Sequence, residues 1–169
     1  AMKSEGTPFQ GILFAGLMIT DNGPELIEYN VRFGDPETQS LMLRLESDIV
    51  PALLACATGE GLLEADITLS QDAAICVVMA AKGYPETYEK NTEIKGLDSL
   101  AENVTIFHAG TKVESGNTYA IGGRVLGICA KATTFEAART QAYHAISAID
   151  WPEGFYRKDI GWRAMQDAA

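Results

Sequence analysis

The stretch Glu25–Gln39, ELIEYNVRFGDPETQ, sets Glu28, Asn30 and Arg32 at alternate positions of a run that otherwise reads as a β-strand. Strand side chains alternate between faces, so Leu26, Glu28, Asn30 and Arg32 are expected on one face. Ile27, Tyr29 and Val31 then share the other, which is available as a core side. Residues two apart on one face lie about 6.5–7 Å apart at a rise of about 3.3 Å per residue. A carboxylate and an amide oxygen at that spacing can converge on one hard cation. Mg2+ takes oxygen ligands and is usually held by one or two protein groups together with substrate phosphates. Arg32 adds a fixed positive charge and a planar donor fork that suits phosphate. The same spacing also describes a solvated antiparallel face with cross-strand ion pairs, because Glu-x-Asn-x-Arg is short and unspecific. The sequel favours a site: FGDPE puts a tight turn and a helix N-terminus directly after the polar face, a natural place for anionic groups.

The elements around this stretch are legible in outline. ILFAGLMIT, residues 12–20, is apolar on both faces and suits a central strand, and DNGP is a turn signal, so an antiparallel hairpin is expected. Asp35 suits a helix N-cap, Pro36 the first helical position and Glu37 the positive end of the dipole, giving a helix from 36 to about 46. A second helix is expected from Ser47 or Asp48 to Gly59. The character changes over residues 59–72, which predicts two domains, 1–66 and 67–169. Strands follow at 73–81, 103–110, around the turn ESGN, and at 123–132, with a short helix at GLDSLAE. TTFEAARTQAYHAISAID reads as the clearest helix, with a Thr133/Glu136 capping box and an apolar stripe of Phe135, Ala138, Ala142, Ile146 and Ile149 that ends before Pro152. Strands, a helix pair, then more strands with helices make the fold class α+β.

Composition narrows the function classes. With 169 residues, 47% of them hydrophobic, the chain can bury a core as one domain or two small ones. Its charge, 13 − 23 = −10, argues against nucleic acid or an anionic membrane as partner, since both need clustered Lys and Arg. Small anionic ligands need only one or two local cations. No basic segment followed by an apolar core reads as a signal peptide, and no apolar run reaches the roughly 18 residues of a membrane helix, so a cytoplasmic location is expected. Cys56, Cys76 and Cys129 each sit in an apolar run without a C-x-x-C pair or a nearby His, and read as buried thiols. His108 reads as a loop or substrate-lining residue and His144 as a solvated one. Lys82 with GYP reads first as a turn, and Trp162 and Arg163 as docking the tail. The GGR of residues 122–124 reads either as a bulge before a strand or as backbone approaching a ligand.

GILFAGLMITDNGPELIEYNVRFGDPETQ resembles the last part of the ATP-grasp domain of phosphoribosylamine–glycine ligases, also called glycinamide ribonucleotide synthetases. The resemblance continues through CVVMAAKGYPETYEK, FHAGTK, GGRVLG and FYRKDIGWRA and covers almost the whole chain. It implies the C-terminal part of an ATP-grasp domain followed by a small mixed C-terminal domain. It implies Glu28 and Asn30 as ligands of a Mg2+ or Mn2+ that bridges ATP phosphates, and Arg32 as a stabiliser of the transferring phosphate. Asp35 would bind the ammonium of glycine, and Arg124 the ribose phosphate. The implied reaction joins glycine to 5-phosphoribosylamine at the expense of ATP, giving glycinamide ribonucleotide. Members of this family are much longer, so the resemblance also implies that an N-terminal part of the enzyme is the missing partner and that this chain is inactive alone. The alternatives are another ATP-grasp carboxylate–amine ligase, against which NVRFGDPETQ and FHAGTK speak, and a non-catalytic binding module.

Overall fold

In a computed structural model of the chain, residues 2–98 and 103–166 are described. They form two compact units, one of residues 1–38 and 45–69, the other of residues 39–44 and 70–169. The fold is α+β, and every strand pairing is antiparallel.

In the first unit, strands β1 (Phe14–Thr20) and β2 (Gly23–Asn30) form the expected hairpin. Asp21 and Asn22 make the turn, and Thr20 Oγ1 donates to Gly23 O at 3.0 Å across its base. Among the described residues this sheet has two strands, so the central place expected of β1 is not seen within this chain. The expected core side is not seen either: Ile27, Tyr29 and Val31 are 63%, 60% and 66% exposed, and no residue of either strand is buried, because within these residues no layer covers the ribbon.

Helix α1 (Glu37–Arg44) begins one residue later than the sequence suggests. The Asp35–Pro36 peptide is cis, and Pro36 lies in the turn ahead of the helix rather than in its first turn. Helix α2 (Val50–Thr58) starts after Asp48, whose Oδ1 accepts from Val50 N at 2.9 Å, and ends at Gly59 in the left-handed conformation that glycine adopts without strain.

The second unit is built on a four-stranded sheet in the order β5-β8-β3-β9, comprising β3 (Ala73–Ala81), β5 (Val104–His108), β8 (Arg124–Ala132) and β9 (Gly154–Tyr156). Helix α3 (Phe135–Ala148) covers one face. Its Ala138, Ala142, Ala145 and Ile146 meet Ile75, Val77 and Met79 of β3 and Leu126, Ile128 and Ala130 of β8 in a continuous core. The alanines on α3 let the helix approach the larger β-branched and Leu side chains of the sheet. The apolar stripe is as expected and His144 is exposed, but the cap is Thr134, whose Oγ1 accepts from Ala137 N at 3.2 Å, not Thr133.

A three-stranded sheet, β4-β7-β6, adds β4 (Thr92–Ile94), β6 (Thr111–Glu114) and β7 (Asn117–Ala120). Beneath it Trp151 Nε1 donates to Thr92 Oγ1 at 2.9 Å, with both residues buried. The helix expected at GLDSLAE falls largely on residues 99–102, outside the described residues. The terminal segment is docked by α3 rather than by Trp162, which is 44% exposed and stacked on by Arg163 in the short helix α4 (Trp162–Gln166). Arg139 donates to Ile160 O and Lys158 O at 2.9 Å each, and Tyr143 Oη donates to Arg157 O at 2.7 Å. Among the described residues no helix is long and apolar enough to cross a membrane.

Candidate functional site

Glu28 and Asn30 stand side by side at the end of β2, with Asn30 Nδ2 donating to Glu28 Oε1 at 2.8 Å. Glu28 is exposed and Asn30 half-buried. Opposite Glu28 is Gly16, where a Cβ would come within 3.3 Å of Glu28 Cγ. A residue without a side chain at that point gives the carboxylate its room. The ladder slips between Gly16 and Leu17, leaving Ile27 as an extra, bulged residue. Bulges re-aim side chains. Strict alternation therefore does not carry Leu26 onto the Glu28–Asn30 face.

Arg32 lies beyond the strand, which stops at Asn30, and period-two alternation no longer fixes its direction. Its guanidinium donates to Phe33 O at 3.1 Å and is exposed. Asp35 is exposed in the turn that follows. That turn is tight: Gly34 is buried, Glu37 folds back over it so that a Cβ would lie 1.3 Å from Glu37 Oε1, and Thr38 N donates to Gly34 O at 3.4 Å. Glu37 was legible only as a helix-dipole charge. Its second role, closing over Gly34, shows in the sequence only as the short Gly-x-x-Glu spacing.

Glu28 and Asn30 thus offer hard oxygen donors, a carboxylate and an amide oxygen, at one exposed strand end. This donor set fits a divalent cation that takes its remaining ligands from phosphates and water. Among the described residues no cluster of three or more His, Cys, Asp or Glu groups could hold a metal on protein ligands alone.

Arg124 belongs to the other unit. It opens β8 and is exposed. Of the GGR glycines, Gly122 packs against the backbone at Gly110 and Gly123 against the Tyr84 ring. A Cβ on Gly110 would lie 2.6 Å from Gly122 Cα and 2.7 Å from Arg124 O, and one on Gly123 would lie 2.2 Å from Tyr84 Cδ2. The bulge suggested at GGR occurs just after it, where Ala80 pairs with Arg124 and Met79 with Leu126, leaving Val125 extra. His108 ends β5, its Nδ1 3.0 Å from Thr111 Oγ1.

The model of the phosphoribosylglycinamide synthetase C domain matches residues 74–163, and that of the ATP-grasp (A) domain of the same synthetase matches residues 1–38. The chain belongs to the phosphoribosylglycinamide synthetase family. A phosphoribosylamine–glycine ligase of Rhizobium meliloti is 52% identical over 166 residues, 97% of this chain and 38% of the relative. The chloroplastic phosphoribosylamine–glycine ligase of Arabidopsis thaliana is 53% identical over 171 residues, 98% of this chain and 32% of its own. The crystal structure of phosphoribosylamine–glycine ligase from Thermotoga maritima superposes with a TM-score of 0.78 at 35% identity, covering 94% of this chain and 39% of that one. The chain therefore spans less than half the length of these relatives.

Proposed function

We propose that the chain is the C-terminal portion of an ATP-dependent ligase that joins glycine to 5-phosphoribosylamine, giving glycinamide ribonucleotide, ADP and phosphate in purine biosynthesis. Residues 1–66 are read as the end of its ATP-grasp domain and 67–169 as its C-terminal domain. The observation that carries the reading is the Glu28–Asn30 pair, hydrogen-bonded at 2.8 Å and followed at once by the tight FGDP turn. It lies within the segment that matches the synthetase's ATP-grasp model.

In this reading Glu28 and Asn30 hold a divalent cation, Mg2+ or Mn2+, which supplies positive charge to the ATP phosphates. Arg32 swings from Phe33 O to the γ-phosphoryl oxygens and balances the charge that spreads over them. The carboxylate of glycine attacks the γ-phosphorus, ADP leaves, and an acyl phosphate forms. Asp35 fixes glycine through its ammonium group. The amine of 5-phosphoribosylamine then attacks the acyl carbon, phosphate leaves, and the amine proton passes to solvent. Arg124 pairs with the ribose phosphate. No step needs a nucleophilic side chain, so the protein's work is positioning and charge neutralisation.

Such chemistry belongs to the whole ligase, with an N-terminal part of the enzyme supplying the rest of the ATP site. A cytoplasmic location fits the reading, although the Arabidopsis relative is named chloroplastic. The test is ADP release from Mg·ATP by the complete reading frame that encodes this chain, omitting glycine and 5-phosphoribosylamine in turn. Release that requires both supports the reading. Release that requires a different amine or carboxylate points to another ATP-grasp ligase, and binding without turnover points to a non-catalytic module.

A further inference from the structure

Cys76 and Cys129 are direct partners across the β3–β8 ladder, and neither is in a disulfide. Residues directly opposed on antiparallel strands project to the same face with Cβ atoms about 4.5–5.5 Å apart. A disulfide needs about 3.5–4.5 Å. Closure therefore asks for an approach on the order of 1 Å. The pair lies on the face of the sheet turned away from α3, because the alternate residues Ile75, Val77, Ile128 and Ala130 are the ones packed in the core with that helix.

The two sulfurs are unlike. Cys129 has no exposure, whereas Cys76 is half-buried in the middle of a long strand. Gly127 sits on the same face one pair along, and a Cβ there would lie 3.2 Å from Cys76 Sγ, so the absent side chain leaves that sulfur its room. The hydrogen bond between the two thiols, ahead of burial, pushes the Cys129 thiol far up, so Cys129 holds its proton in the resting pair.

We propose that Cys76 and Cys129 are a thiol-oxidation site, forming a reversible cross-strand disulfide by exchange with low-molecular-weight disulfides. The Cys76 thiolate attacks one sulfur of the small disulfide. A mixed disulfide forms on Cys76, and the released thiolate takes up a proton. Cys129 Sγ then attacks Cys76 Sγ, the Sγ–Sγ bond forms, and the second small thiolate leaves with the proton that Cys129 gives up. Two protein thiols are oxidised and one small disulfide is reduced to two thiols. Thiol–disulfide exchange runs in both directions, which suits a reversible mark rather than a structural staple.

The test uses the protein of the complete reading frame in native buffer with oxidised glutathione, followed by acid quenching, alkylation and peptide mapping. The expected product joins the Cys76 and Cys129 peptides, removes both thiols from alkylation, and is restored to two free thiols by dithiothreitol. Cys129→Ala should instead accumulate a glutathione adduct on Cys76. The map of the parent chain decides the matter even if that variant does not fold. A parent whose Cys76 keeps its glutathione adduct, whose cross-link runs to Cys56, or whose Cys76 and Cys129 remain alkylatable while Cys56 is glutathionylated would overturn the proposal.

Discussion

Gly110→Ala is the most informative single perturbation of the second unit. The new methyl would lie 2.6 Å from Gly122 Cα, 2.9 Å from Gly122 N and 2.7 Å from Arg124 O, all of them backbone atoms that cannot rotate aside. The segment after β5 and the segment before β8 must therefore separate. Gly110 itself makes three hydrogen bonds across this contact: Gly110 N to Arg124 O at 3.1 Å, Ile121 N to Gly110 O at 2.7 Å, and Gly122 N to Gly110 O at 3.1 Å. At about 1 kcal/mol net for each, the loss is about 3 kcal/mol, a large share of the roughly 5–15 kcal/mol that holds an ordinary domain. In urea the midpoint should fall by about 1–3 M, from a slope of about 1–3 kcal/mol/M. Gly116→Ala is the control. Gly116 has a φ of +84° with nothing within 4 Å, so it tests backbone conformation without a clash and should cost only about 1–2 kcal/mol. A Gly110→Ala protein within about 0.5 kcal/mol of the parent, or no worse than Gly116→Ala, would refute the argument that these glycines exist for backbone packing.

Three further outcomes follow from contacts in the second unit. Thr92→Val leaves the buried Trp151 N–H without its acceptor and should cost about 1–3 kcal/mol in denaturant melts, while Thr92→Val/Trp151→Phe should cost less than the two single changes summed. Arg139→Ala removes the donors to Ile160 O and Lys158 O, so hydrogen exchange should quicken at residues 157–162 while the amides of β3 and β8 stay protected. The Asp159 carboxyl is held below its ordinary 3.8 by its hydrogen bond with Arg157. A depressed folded value means its small stabilisation is complete above the ordinary value and is lost as pH falls through the folded one. A melting series below about pH 5 should show a shallow decline that Asp159→Asn makes shallower.

Much of the fold is written in local signals. The hairpin follows from DNGP between two strand-like runs, and β3 is an unbroken apolar stretch and β8 a largely apolar one, with limits that match or nearly match the expected ones. What escaped detection is non-local or very short. β4 and β9 have three residues each, too few for alternation to register. The Ile27 bulge carries no marker residue, since it arises from how β1 and β2 pair. Two adjacent threonines both suit a cap, and the Thr-x-x-Glu pattern pointed to Thr133, whereas Thr134 is the residue that reaches the helix amides. At the candidate site, Glu28 and Asn30 are brought together as period two demands. Arg32 escaped the same rule because the strand stops before it. The Cys76–Cys129 pairing needs the β3–β8 register, which no local pattern supplies.

The most direct test of the central claim measures ADP release by the complete reading frame, with both substrates present, as Mg2+ or Mn2+ is varied, for the parent and for Glu28→Gln/Asn30→Ala. If this strand end holds the metal that serves ATP, the variant should keep its fold by circular dichroism and lose at least about 100-fold in rate, with any residual activity shifted to higher metal concentration. Unchanged turnover and an unchanged metal response would contradict the account and leave the polar end of β2 as a solvated strand face.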